Sequence, residues 1–161
     1  MAPDGAPLAP AIEPGDRTDA EGALPALPEF DPAERVRGEC RATGLWFSAH
    51  PLDAFLPPEA RRDATPAELL PARVGKRVAL VGLPCARRRV ETARGETMLF
   101  LTLADASGLA ECVLFPDAYR AIARAAPAGA PWSGEIVRVE GRVDETLDAV
   151  TLVVERAKAL A

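Results

Sequence analysis

Spare histidines, paired cysteines and glycine-rich phosphate loops are missing from this sequence, and each absence argues against a class of function. His50 is the only histidine, so neither a histidine-rich metal site nor a Ser-His-Asp triad with a spare base is available. The glycine patterns of P-loops and dinucleotide-binding sites are absent as well. We therefore expect a non-catalytic protein that needs no metal or cofactor.

Cysteine and long apolar runs are also scarce. The three cysteines, Cys40, Cys85 and Cys112, are odd in number and show no paired spacing, which suits a reducing cytoplasm better than a disulfide framework. No apolar run reaches membrane-spanning length. The start, MAPDGAPLAP, has neither the basic nor the apolar region of a secretory signal. The sequence predicts a cytoplasmic, monomeric protein without membrane contact.

Aromatic residues make up only 5% of the chain, whereas hydrophobic residues make up 48%. The core must therefore be built from valine, leucine and alanine, and an exposed aromatic side chain becomes informative. With 161 residues, the chain has room for one ordinary domain and an extra segment.

The net charge of −5 argues, taken alone, against a nucleic-acid partner, but the charge is segregated. Residues 1–34 carry eight acidic groups against one arginine, and residues 35–161 carry 18 basic and 16 acidic groups. Residues 73–94 hold seven basic groups against a single glutamate. The chain therefore consists of an acidic N-terminal segment followed by a locally basic domain.

Three regions are predicted. Residues 1–30 are expected to be a disordered acidic tail, because residues 2–28 hold six prolines, seven alanines and three glycines. The tail is interpreted either as a solvated linker or as an electrostatic mimic of DNA that folds back on the basic residues. Residues 31–74 are a helical lead-in, and residues 75–161 form the main domain.

The lead-in begins with helix signals. Asp31 fits an N-cap, Pro32 the first helical position and Gly44 the residue after the helix end. Three aromatic residues follow closely, and they are expected to pack this helix against the next elements: Trp46, Phe47 and Phe55. Residues 65–70, TPAELL, predict a second short helix capped by Thr65.

From residue 75 the pattern changes to strands. The predicted strands cover 76–84, 96–105, 109–115, 134–143 and 149–155, with a helix over 116–126 between the third and fourth. Gly82 falls where a strongly bent first strand needs room. This β-β-β-α-β-β order predicts a mainly β protein, a five-stranded OB-fold Greek-key barrel preceded by short helices.

An OB barrel binds ligands on strands two and three, between the loops after strands one and four. Along strand two, the leucines at 99, 101 and 103 belong inside, which leaves Phe100 outside to stack on a base. Eight residues are predicted to bind nucleic acid. Four of them lie in and beside the first of these loops, Arg87, Arg88, Arg89 and Arg94, and the other four are Phe100, Thr102, Lys76 and Arg138.

Each of these features also has a simpler interpretation. An arginine run is usually just a solvated surface, and Phe100 is equally consistent with a position covered by the N-terminal helices. Glu111 on strand three is expected near the same face, where it would repel a phosphate. Binding is therefore expected to be modest and strongly salt-dependent.

Four segments together resemble the C-terminal part of the bacterial DNA polymerase III α subunit, and most of all its error-prone branch: GLWFSAHPLDAF, VGKRVALVGLP, RRRVETARGETMLFLTLADASGLAECVLFPDAY and VRVEGRV. The first fits a GxxxSxHPL-type pattern through Gly44, Ser48, His50, Pro51 and Leu52. The third fits the family's second-strand pattern through Thr92, Ala93, Gly95, Met98, Phe100, Thr102, Leu103, Asp105 and Gly108. The spacing of Phe100, Leu103, Asp105, Gly108 and Glu111 is similar, more distantly, to anticodon-binding OB domains, where the last position is usually glutamine.

The resemblance implies an OB module that handles single-stranded DNA, with RNA as a further possibility, and that is accessory to or a fragment of a replication or translesion polymerase. The family's catalytic carboxylates lie in a palm domain, which this chain is too short to contain, so no polymerase activity is expected. The alternative hypothesis is a protein-interaction module that docks onto a polymerase, a clamp subunit or another replication or repair protein.

Overall fold

A computed structural model describes residues 28–126, 131–132 and 136–160. Most of the predicted acidic tail and the predicted start of the fourth strand lie outside these residues. Two α-helices come first, α1 (Pro32–Thr43) and α2 (Pro51–Phe55), followed by 3-10 turns at Pro58–Arg61, Ala67–Leu69 and Pro71–Arg73. Among the described helices, none is long and apolar enough to cross a membrane.

The ends of α1 confirm the predicted caps. The Asp31 carboxylate accepts a hydrogen bond from the backbone N–H of Glu34 at 2.8 Å, and the Glu34 side chain accepts one from the backbone of Asp31. Gly44 ends the helix with φ of 77°, in the left-handed region.

The predicted helix over 65–70 is wrong in its start and its cap. Only a 3-10 turn forms, at Ala67–Leu69, and the side chain of Thr65 does not cap it. The backbone N–H of Thr65 instead donates to the carbonyl of Ala79, at 2.7 Å. The carboxylate of Asp105 takes the capping role, because it accepts from the N–H of Ala67 at 2.8 Å.

The remaining elements follow the predicted order. They are β1 (Arg77–Glu91), β2 (Thr97–Asp105), β3 (Gly108–Leu114), α3 (Pro116–Ala125), β4 (Val137–Thr146) and β5 (Ala149–Ala159). The strands close into a barrel in the order β1-β2-β3-β5-β4, with β4 returning to β1. Four of the five strand pairs are antiparallel, and β3 with β5 is parallel. The mainly β, five-stranded barrel is confirmed.

The barrel interior is mainly aliphatic, as the low aromatic content predicted, with Trp132 among the residues of its buried cluster. Leu99, Leu101 and Leu103 are fully buried, and from α3 the side chain of Ile122 packs against the same cluster. Cys112 is buried among them, and this burial raises the pKa of its thiol to about 12.

Two glycines allow backbones to approach each other closely. A Cβ at Gly82 would lie 2.9 Å from the carbonyl oxygen of Ala104, which explains the glycine predicted at the bend of β1. A Cβ at Gly141 would lie 1.9 Å from the carbonyl oxygen of Val153, where the pairing of β4 with β5 shifts register. Side chains at these positions would therefore push the paired strands apart.

The helical lead-in packs on the outside of the barrel through a second apolar cluster, formed by Leu52, Leu56, Val81 and Ile136. Of the three lead-in aromatics, Phe55 packs against this cluster and lies under the guanidinium of Arg37. Trp46 contacts the ring of His50 edge-on, and Phe47 remains 69% exposed. The predicted aromatic cluster is therefore wrong for Phe47.

Candidate nucleic-acid interface

Strand β1 runs through the whole arginine run to Glu91, well past the predicted end at residue 84. Its second half pairs with β2 from Ala86 to Glu91, so Arg87, Arg88 and Arg89 are strand residues. The loop between the two strands is reduced to residues 92–96. Among the predicted loop arginines, only Arg94 lies in that loop.

A register shift in β1 determines which arginine faces which side. Pairing between β1 and β2 is interrupted between Pro84 and Ala86, and after this point Arg88 lies directly opposite Phe100. Directly opposite residues in a sheet project from the same face. Arg87 and Arg89 lie opposite the buried leucines of β2 instead. Three consecutive arginines are thus divided between two faces, and Arg88 alone accompanies Phe100.

Phe100 projects from the outer face of β2. It is 40% exposed, whereas Leu99 and Leu101 beside it are fully buried. The lead-in helices do not cover it, since their apolar cluster is built on Val81 and Ile136 at another part of the barrel wall. The partner of Phe100 on β3 is Val113, which is almost fully buried. Phe100 therefore presents an aromatic surface that the described part of the chain leaves open.

The arginines near this surface differ in the contacts that they make. Within residues 28–126, 131–132 and 136–160, no carboxylate lies at ion-pair distance from Arg88, Arg89 or Arg94. Arg87 is engaged differently: one guanidinium N–H donates to the backbone carbonyl of Trp132 at 3.3 Å. The ring of Trp132 stacks on Tyr119, with centroids 5.6 Å apart. Arg87 thus ties β1 to the buried Trp132, which stacks on the half-buried Tyr119.

The hairpin loop holds Arg94 at the end of the two strands. The N–H of Thr92 donates to the carbonyl of Glu96 at 2.8 Å, and the N–H of Gly95 donates to the carbonyl of Thr92 at 2.9 Å. Gly95 has φ of 74°, a backbone conformation that glycine adopts without strain. The loop therefore has a defined turn geometry that fixes the position from which Arg94 extends.

Next to Phe100 along the same face lies a polar pair, Thr102 and Glu111. They are direct cross-strand partners, and the Thr102 hydroxyl donates to the Glu111 carboxylate at 3.0 Å to one oxygen and 3.2 Å to the other. Glu111 is exposed. The expectation that Glu111 shares the face of Phe100 is confirmed.

The predicted residues Arg138 and Lys76 are not brought to this face. Arg138 lies on β4, which neighbours neither β2 nor β3. Its guanidinium is held by both oxygens of Asp63, at 2.9 and 2.8 Å, and by Glu140 at 3.0 Å. Lys76 precedes β1, where its carbonyl accepts from the N–H of Val143 at 2.9 Å. Both therefore belong to the β1–β4 side of the barrel.

The ion pair around Arg138 shifts the pKa values of its members. Hydrogen bonds from Arg138 hold the pKa of the Asp63 carboxyl below its usual value. The hydrogen bonds that Arg138 donates to Asp63 and to Glu140 raise the pKa of Arg138 itself. This arginine fastens the lead-in segment to the barrel wall, so its charge is already neutralised.

Asp105 stabilises the turn between β2 and β3. Its carboxylate accepts from the backbone N–H of Ser107 at 2.7 Å and of Gly108 at 3.0 Å.

Leu109, which sequence reasoning did not single out, lies opposite Ala104 on the outer face and is 68% exposed. The alternation of side chains along β3 could have predicted this exposure, because Ala110 and Cys112 face the core.

In the described ranges, no group of three or more His, Cys, Asp or Glu residues could hold a metal ion.

Comparison with protein families bears on this barrel directly. The sequence model of a family described as OB-fold nucleic acid binding domain matches residues 85–160, which include the face around Phe100. The barrel is an OB-fold domain. The closed five-stranded topology and the helix between β3 and β4 agree with this assignment.

Two proteins to which the chain is similar are bacterial DNA polymerases. The chain is 33% identical over 132 residues to an error-prone DNA polymerase of Caulobacter vibrioides, covering 81% of this chain and 12% of that protein. It is 34% identical over 114 residues to a DNA polymerase III subunit alpha of Halalkalibacterium halodurans. This match covers 69% of this chain and 9% of that protein. The chain is thus similar to a part of DNA polymerase III α subunits and spans about a tenth of the length of these proteins.

Among solved structures, an asparaginyl-tRNA synthetase from Pyrococcus horikoshii is similar with a TM-score of 0.48 and 22% identity. The match covers 61% of this chain and 23% of that one.

Proposed function

We propose that the OB domain is a non-catalytic module that binds single-stranded DNA, accessory to or a fragment of a replication or translesion polymerase. The observation that carries this proposal is the pairing of Phe100 with Arg88. Phe100 is 40% exposed on a strand whose other face is fully buried leucine. Directly opposite lies Arg88, which has no carboxylate at ion-pair distance among the residues that the structure describes. An open aromatic ring beside an exposed guanidinium suits a base and its phosphate.

The physical basis is the chemistry of single strands. Bases of a single strand are free to stack on an aromatic ring, whereas those of a duplex are already stacked and paired. A guanidinium binds phosphate through paired N–H donors and also stacks on bases. Arg88 and Arg94 supply this cation on the strand and in the hairpin loop, while Thr102 lies two residues from Phe100 on the same face. The relationship to DNA polymerases favours DNA as the ligand.

The test is fluorescence anisotropy of a labelled single-stranded DNA, titrated with the protein at two salt concentrations. We expect saturable binding that weakens as salt rises, and weaker binding to a duplex of the same sequence. Equally tight binding of a matched RNA would move the assignment from DNA to single strands in general. Absence of binding to every oligonucleotide at low salt would contradict the proposal.

A matched pair of variants locates the binding face. Arg88→Ala should lower the affinity and reduce the slope of log K against log salt by about 0.7, the value for one lost phosphate contact on a single strand. Arg142→Ala removes the same charge from β4, where Arg142 is exposed and away from β2 and β3. This control should leave both quantities unchanged. Equal effects of the two variants would show that only net charge matters.

A second candidate function, docking onto a polymerase or clamp subunit, is favoured by the apolar side chains at the lead-in. Phe30 and Phe47 are each 69% exposed and Leu45 is 58% exposed. Capture of such a subunit from nuclease-treated lysate by the wild-type chain, but not by Phe47→Ser, would support this function. Capture that Phe100→Ala abolishes and Phe47→Ser does not would contradict it.

A further inference from the structure

We infer that the Thr102–Glu111 pair is a base-selecting element, which favours bases that carry an amino group on their pairing edge over thymine. The inference rests on the proposed function, because it assumes that a base stacks on Phe100. It assigns to Glu111 a role other than repelling phosphate, and it names the ligand class that the face prefers.

The position of the pair supports this role. Thr102 lies two residues from Phe100 on the same face of β2, and Glu111 is the direct partner of Thr102 on β3. Glu111 is therefore a diagonal neighbour of Phe100, at a Cβ distance of roughly 7 Å, which long side chains span. A base stacked on Phe100 extends beyond the ring and brings its edge towards the Glu111 carboxylate.

The orientation of the carboxylate is fixed before any ligand arrives. The Thr102 hydroxyl lies 3.0 and 3.2 Å from the two oxygens of Glu111 and donates its single hydrogen to the carboxylate. In the described part of the chain, no cation lies at ion-pair distance from Glu111. An ionised carboxylate offers about four lone-pair sites and no donor, so most of its accepting capacity stays open towards the solvent.

An acceptor-only group discriminates between bases. Cytosine presents an amino donor at N4, which a glutamate accepts, whereas thymine presents the acceptor O4 at the same place. Guanine presents two adjacent donors, its ring N1–H and its exocyclic amine, to a carboxylate. Thymine would set its carbonyl oxygens against the charge of Glu111. We therefore expect guanine and cytosine to be favoured over thymine at the Phe100 site.

The experiment compares oligonucleotides that differ in the amino group but have similar stacking area. Short oligomers of dC and dT are titrated at mildly alkaline pH, and oligomers with a single guanine are compared with the same oligomers carrying inosine, which lacks the exocyclic amine. The wild type should prefer dC over dT by roughly fivefold, and guanine over inosine in the same direction.

Two variants assign the preference to this pair. Glu111→Gln keeps the shape and adds a donor, so it should bind dC and dT about equally and bind both at least as tightly as before. Thr102→Val removes the hydroxyl that orients the carboxylate, so it should reduce the preference without inverting it. Circular dichroism of each variant checks that the barrel is intact.

The outcomes separate the inference from the proposed function. Equal binding of dC and dT by the wild type would overturn the inference and leave single-strand binding standing. A preference that survives in Glu111→Gln would assign selection to another group and would overturn it too. Failure to bind any oligonucleotide would overturn the proposed function and the inference with it.

Discussion

Arg88 and Arg138 are the same residue type on the same barrel, yet their surroundings differ completely. Arg138 on β4 is held by Asp63 and Glu140 and is 12% exposed in its side chain. Arg88 on β1 lies opposite Phe100, with no carboxylate at ion-pair distance in the part of the chain that the structure describes. The first fastens the lead-in to the barrel, and the second presents its charge to solvent beside an aromatic ring.

The difference shows that counting basic residues does not locate a binding face. What matters is whether the barrel has already neutralised the charge and which strands carry it. On the wall formed by β4 and β5, Arg138 is held in ion pairs. The outer face of β1, β2 and β3 instead carries the exposed Phe100 and Arg88, which has no carboxylate at ion-pair distance among the described residues. Substitutions on the β4–β5 wall should change stability, and substitutions on the outer face of β1, β2 and β3 should change binding.

The largest expected effect is on the structural wall, at Gly141. An alanine there would place its Cβ 1.9 Å from the carbonyl oxygen of Val153, so β4 and β5 must separate locally. We expect Gly141→Ala to lower the free energy of unfolding by about 3 kcal/mol, measured by urea denaturation. Gly38→Ala on α1 is the control, because nothing lies within 4 Å of the added Cβ. Equal stability of the two variants would contradict this prediction, because β4 and β5 would then accommodate the added Cβ without loss of pairing.

The next effect is on the proposed binding face, at Phe100. Truncation to alanine removes a stacking surface that is worth about 1–3 kcal/mol per base. We expect Phe100→Ala to weaken single-stranded DNA binding roughly tenfold and to change the free energy of unfolding by less than about 1 kcal/mol, because the ring is 40% exposed. Anisotropy and urea denaturation on the same preparation give both numbers. A variant that loses stability and keeps its DNA affinity would contradict this prediction, because Phe100 would then serve the fold and not binding.

The smallest effect is the pH dependence of the Arg138–Asp63 pair. Because Arg138 lowers the pKa of folded Asp63, the pair stabilises the fold above the ordinary aspartate pKa and loses this contribution as pH falls through the lowered value. Thermal unfolding of the wild type and Arg138→Met should therefore differ most at neutral pH and converge in acid. DNA affinity should be unchanged. A stability difference that grows in acid would contradict the assignment.

Local sequence signals predicted most of the barrel. The caps of α1, the burial of alternate leucines on β2 and the glycine at the bend of β1 each depend on a few neighbouring residues. Such signals are readable because the side-chain period of a strand and the geometry of a cap are set within a few residues.

The division of the arginine run could not be predicted in the same way. Arg87, Arg88 and Arg89 carry no apolar alternation, so nothing local indicated that β1 continues through them. The register shift after Pro84, which sends Arg88 to the face of Phe100, depends on pairing with β2. Arg138 is neutralised by a residue 75 positions away. Contacts of this separation leave no local pattern.

Ultraviolet cross-linking of single-stranded DNA to the chain, followed by trypsin digestion and mass spectrometry, tests the central claim most directly. Phe100 falls in the tryptic peptide spanning residues 95–120, and the exposed lead-in aromatics Trp46 and Phe47 fall in the peptide spanning residues 42–61. We predict cross-links in 95–120, centred on Phe100 and lost in Phe100→Ala. Cross-links confined to 42–61 would contradict the account, since the nucleic acid would then lie on the lead-in segment and not on the outer face of the barrel.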